Sequence, residues 1–118
     1  MANELLLRNF IATAAIAANR IVKFGSNDGE VVQAAAASDL SIGVCGAVGP
    51  ASGERVDIVQ AGIAEVEFAG TVARGALVTA DANGKGVAAA STNRAIGIAQ
   101  VTTAAGDIAP VLIAPSVM

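Results

Sequence analysis

Histidine, tryptophan and tyrosine are absent from this sequence, and phenylalanine occurs only at positions 10, 24 and 68. Without histidine the chain lacks the commonest general base and the commonest metal ligand. Cys45 is the single cysteine, so there is no internal disulfide and no cysteine cluster for a metal. Positive charge is sparse: seven Lys and Arg, no two adjacent, stand against ten Asp and Glu, for a net charge of −3. Nucleic-acid binding draws its affinity from clustered cations, and this balance argues against it. Mean hydropathy is positive, at +0.64. Yet charges or glycines interrupt every apolar run before the roughly 20 residues that a spanning helix needs.

What remains is a chain of 118 residues, 54% hydrophobic, dominated by Ala, Val and Ile and carrying 13 Gly. That length fits one domain with one core. Small side chains remove little surface from water, and at about 25 cal/mol per Å² such a core gives modest stability for its length. The composition therefore predicts an oligomer, or a protein seated on a larger surface. The opening "MANELLLRNFIATAAIAA" imitates a signal peptide, but Glu4 stands where a positive region belongs and Arg8-Asn9 cut the apolar run. It reads as a retained N-terminal segment of a soluble protein.

Short β-branched runs between turn signals predict strands over 20–25, 30–35, 41–48, 55–62, 64–70, 76–80, 86–90, 94–101 and 110–115. The connections "SNDG", "GPASGE", "DANG" and "AAGD" have turn chemistry. Evenly spaced short strands indicate an all-β fold, a small β-barrel or β-sandwich. Residues 12–18 and 34–39 are rich enough in Ala for one helical turn each, without a sustained 3.6-residue period. The chain also matches itself at an offset of about 54 residues. "IGV" (42–44) answers "IGI" (96–98), and "RIVKFGSNDGEVVQAAAAS" lies over "RGALVTADANGKGVAAAS". Each unit is hairpin, Ala-rich link, strand, loop, strand, which suggests a duplicated β unit closing into one barrel.

Candidate chemistry is thin. "TADANGKG" (79–86) has the Gly-Lys pair of a phosphate loop, but Thr79 replaces the first glycine and Gly86 the final hydroxyl residue. No helix pattern follows Lys85, so the stretch reads as a hairpin with an Asn-Gly type I′ turn and with Lys85 in solvent. Glu65 and Glu67 project from one face of a strand, an arrangement a small hydrolase could use; with nothing else catalytic to join them, a solvated or interfacial face is the better account. Asp28 with Glu30, and Glu54 with Asp57, flank turns and are too sparse for a calcium loop. Cys45 lies among small apolar residues with no histidine to generate a thiolate, and reads as a buried hydrophobe. No G-x-S-x-G elbow occurs, while a Ser-Lys arrangement is left open. No metal or cofactor is implied. A small-ligand β-barrel is the other rival, though three Phe supply little lining for a pocket. Most informative is "NELLLRNF" (3–10): three leucines in a row fit either a first strand buried on both faces or an arm that docks on a partner. We read residues 1–13 as such an arm and 14–118 as a single β domain.

The stretches "AAIAANRIVKFGSNDGEVVQAAAASDLSIGV", "GERVDIVQAGIAEVEFAGTVARGALVTADANGKGVAA" and "AIGIAQVTTAAGDIAPVLIAP" resemble the capsid decoration, or cement, proteins of tailed bacteriophages. The resemblance covers nearly the whole chain. Its most specific part is the order G-x-A-x-V … G … V-x-R-G-x-x-V-T-A-D-x-x-G-K … A-x-G-I-A from Gly62 to Ala99. It implies a non-enzymatic virion protein, made in the host cytoplasm and added to the outside of the head, with the major capsid protein as partner. It also implies self-association, with a homotrimer favoured over a homodimer and both left open. On this reading Glu4, Leu5, Leu6, Leu7, Arg8, Asn9 and Phe10 contact the capsid, and Glu67 and Arg74 face neighbouring copies.

Overall fold

The computed structural model describes residues 3–39, 41–47, 49–90 and 93–117, with nothing said of side chains at 3–5 and 115–117. Nine strands follow one another: β1 (Asn3–Ala12), β2 (Ile21–Phe24), β3 (Glu30–Gln33), β4 (Ser41–Cys45), β5 (Arg55–Glu67), β6 (Leu77–Ala80), β7 (Gly86–Ala88), β8 (Arg94–Ala99) and β9 (Ile108–Val117). The fold is all-β, as the turn spacing predicts. The Ala-rich stretches at 12–18 and 34–39 form bends and turns instead of helical turns. Their amides are taken by distant carbonyls: Thr13 donates to Val31, Ile16 to Pro50 and Ala34 to Ile21. A helix would have to give up those bonds.

The strands build two rings that share one strand. In the first, β1 pairs with β3 in parallel and with β5 antiparallel, while β2 bridges β3 to β4 and β4 pairs with β5. Those pairings close a five-stranded barrel. From β5 the sheet continues through β9, β8, β6 and β7, and a single parallel bridge between Phe68 and Gly86 returns β7 to the end of β5. The second ring repeats the first ladder by ladder. Val22 faces Gly43 and Gln33 as Val78 faces Gly97 and Ala88. Val59 faces Val44 and Leu7 as Leu112 faces Ile98 and Ile63. The duplication expected at about 54 residues is thus present in the hydrogen bonds, but the two units form a ring each and do not close into one barrel.

Two strands expected at 55–62 and 64–70 are one. β5 runs through Gly62, whose φ of 92° only glycine adopts without strain. Gly62 is where the strand passes between rings, pairing with Glu4 on one edge and Ile113 on the other. Two further glycines explain the repeated "IG" signature. A Cβ on Gly43 would meet the Val59 carbonyl oxygen, and one on Gly97 the Leu112 carbonyl oxygen. Each ring needs glycine there so that two backbones can approach.

Each ring encloses its own core. Phe10, Ala12, Ile16, Val22, Val31, Ile42, Cys45, Val56 and Ile58 fill the first. The second holds Val66, Phe68, Val72, Val78, Ile96, Ala99, Ala109 and Val111, joined by Ile21, Val44 and Val59 from the first ring. Volume is conserved between rings where identity is not. Ala12 and Val31 on adjacent strands become Phe68 and Gly86, with the Phe68 ring 2.9 Å from where a Gly86 Cβ would stand. A close-packed interior tolerates such a paired swap.

Candidate functional site

β1 is the element with most left over after folding. One edge is hydrogen-bonded to β5 from Asn3 to Ile11. β3 uses the other edge only at Ile11 and Ala12, leaving that edge of residues 3–10 without a strand partner among the described residues. The register shifts twice between Glu4 and Leu7, breaking the regular ladder there as bulged strands do. Leu6 and Leu7, which lie at those shifts, are 51% and 49% exposed. A strand buried on both faces is therefore not what the leucine run forms.

The neighbouring residues divide by role. Arg8 is exposed, its guanidinium carbon 5.1 Å above the Phe10 ring. Asn9 is also exposed, donating to Asp57 at 3.1 Å and accepting from Arg55 at 2.7 Å. Phe10 is 1% exposed and meets Phe24 edge-on at 6.3 Å, so it belongs to the first ring's core. Glu4 and Leu5 contribute backbone to β1; their side chains lie outside the described residues. On one flank of the strand a concavity of about 400 Å³ is lined by Leu7, Ala47, Pro50, Arg55 and Val59.

The other sequence-derived candidates fall elsewhere. Glu67 is drawn into the junction of the two rings, 3.3 Å from both Arg20 and Lys85. Burial tends to raise its carboxyl pKa, but hydrogen bonds and charges from Lys85 and Arg20 prevail and hold it below the usual range. A proton donor for glycoside hydrolysis needs the opposite shift. Arg74 stands in the exposed turn before β6, its amide bonded to the Thr102 hydroxyl. Lys85, expected in solvent, is the second cation on Glu67.

The "TADANGKG" stretch is the β6–β7 hairpin, with Val78 opposite Ala88. Its turn differs from the expected type I′. Among Asp81–Lys85 only Gly84 has positive φ, at 73°, and the Asp81 carboxylate accepts from the amides of Asn83 and Lys85. The tip is clamped to the first ring. Ile21 donates to the Gly84 carbonyl, while Arg20 and Gln33 donate to that of Asn83. No local sequence signal could show this, because the partners lie some 50 to 63 residues away. Cys45 is fully buried, and burial pushes its thiol pKa up to about 11. Among the described residues no three His, Cys, Asp or Glu are grouped to hold a metal ion.

Two side-chain-filled rings with an exposed, half-paired strand define a small all-β structural module. The profile of the phage cement proteins matches residues 5–113, and the chain belongs to that family. Membership makes it a capsid-associated structural protein of a phage virion. No curated protein matches the sequence. Among solved structures the chain is similar to the N base of head fiber gp8.5 of bacteriophage phi29, with a TM-score of 0.75 and 17% identity over 96% of this chain and 97% of that one. At that identity the likeness is one of fold.

Proposed function

We propose that the protein binds the outer surface of the mature phage head and stabilises the shell, docking through β1 on the major capsid protein and associating with its own kind. The observation that carries this reading is the free edge of residues 3–10 with Leu6 and Leu7 half exposed beside it. An open edge offers backbone donors and acceptors to an added strand, and flanking apolar side chains supply anchors. Burying what remains exposed of the two leucines contributes about 1 kcal/mol each. Glu4, Leu5, Arg8 and Asn9 share the strand and complete the contact; Phe10 holds the strand in place from inside.

The mechanism is thermodynamic. A protein that binds the expanded shell, and not its disrupted form, stabilises the shell by mass action. Many copies multiply a modest energy per site. Co-sedimentation with expanded, undecorated phage heads tests this, with the half-time of the heads at elevated temperature as second readout. Binding and a longer half-time are expected, and Leu6→Glu with Leu7→Glu should abolish both while the β circular-dichroism spectrum is kept. Wild-type protein left in the supernatant would refute the reading. Undiminished binding by the double variant would remove β1 from it.

A further inference from the structure

The two rings repeat one hydrogen-bonding plan but not one surface. On the outside of the first ring Ile21, Val44 and Val59 lie in register across β2, β4 and β5. Their exposures are 0%, 0% and 1%, because they pack into the second ring's cluster. The equivalent row on the second ring is Leu77, Ile98 and Leu112, in register across β6, β8 and β9, with Ile63 of β5 continuing it. Nothing described covers this row: Leu112 is 39% exposed and the other three are half-buried. Ile108, 53% exposed, shares the Leu112 face by strand alternation and lengthens the patch along β9. The outward face of an antiparallel sheet is ordinarily its polar one, and a contiguous apolar face marks a contact.

We infer that this row docks a second copy of the chain, head to tail, through that copy's first ring. The molecule contains its own precedent, since the sister row is already covered by a ring of the same plan. The covering cluster includes Ala80, 1% exposed. The matching position on the first ring is Phe24, each facing its hairpin partner in the same register (Phe24 with Val31, Ala80 with Gly86). Phe24 is 49% exposed. One end of the molecule thus presents an uncovered row and the other an uncovered aromatic. Because the two faces differ, the contact is heterologous, and repeated contacts of that kind can close into a cyclic oligomer. The inference supplies a surface for the self-association proposed above and does not depend on head binding.

Sedimentation equilibrium of the full chain tests it with two variants, Leu112→Glu on the row and Phe24→Glu on the opposite end. Wild type should exceed monomer mass, and each variant alone should be monomeric with an unchanged β spectrum. Mixed in equal amounts, they should form a one-to-one dimer and nothing larger, because each retains the face the other has lost. A monomeric wild type, a variant of wild-type mass, or a mixture that stays monomeric would each overturn the contact. Should Leu112→Glu lose its β spectrum, Leu112→Thr keeps strand propensity and should weaken association roughly tenfold; unchanged association would overturn the contact. Wild type that binds heads yet is monomeric refutes the contact and leaves head binding standing. If, in addition, folded Leu112→Glu fails to bind those heads, the row belongs to the shell.

Discussion

Glu67 gathers two cations that the chain supplies from opposite directions, Arg20 before the first hairpin and Lys85 in the second. Folding lowers its pKa below the ordinary 4.5, so the stabilisation is in place above that value and fades as pH falls through the lower, folded one. Glu67→Gln should cost about 0.5–1 kcal/mol at neutral pH and nothing near pH 2, as measured by urea midpoints at the two pH values. Gly84 is constrained twice, by its φ of 73° and by Gln33 and Ala34 around the place a Cβ would fill. Gly84→Ala should lower stability by about 1–3 kcal/mol in urea titration. The thiol of Cys45, pushed up to about 11 by burial, should react with an alkylating reagent at pH 8 only when denaturant is added. Cys45 was legible in the sequence through its small apolar neighbours, and Gly84 as a turn glycine, because both are local signals. The partners of Glu67 and Gly84 are set by how two rings meet, which no local pattern encodes.

At the scale of the element, β1 shows how one strand can serve two ends. Phe10, 1% exposed, anchors it inside the first ring, while Leu6 and Leu7 face outward. Phe10→Ala should cost about 3–5 kcal/mol of folding stability, whereas Leu6→Ser should cost less than about 1 kcal/mol and act on head binding instead; thermal melts and co-sedimentation on the same samples separate the two. Deleting residues 2–10 removes the strand that closes the first ring, so it should lower the melting temperature as well as any binding. The leucine run is legible as unusual, but the choice between strand and arm is not, since register shifts replace the alternation that identifies strands. All nine expected strands coincide with β2 to β9, two of them merged in β5. The sequence divides them because a glycine inside a strand pattern, here Gly62, has the look of a break. Pairing on both of its edges makes it a crossing point.

At the scale of the molecule, the repeat was legible because it carries physical constraint. Gly43 and Gly97 are fixed by approaching carbonyls, and Gly29 and Gly84 by positive φ at the two hairpin tips. Core positions drift in identity because only their summed volume matters, which is why Ala12–Val31 and Phe68–Gly86 do not align by letter. The rings share β5 and a clamped hairpin tip, so unfolding should be one cooperative transition, with calorimetric and van't Hoff enthalpies equal. Two resolved transitions would show that the rings melt independently.

Nine strands do the work of ten, and the economy has a mechanical side. Any cut that releases one half as a finished ring takes the closing strand from the other, so the protein cannot be divided into two sound parts. No linker separates its halves and none can lengthen. β5 runs unbroken from one ring into the other, so their spacing along it is set by the rise of one strand, about 3.3 Å per residue. The molecule is a gauge of fixed length, with no joint between its rings.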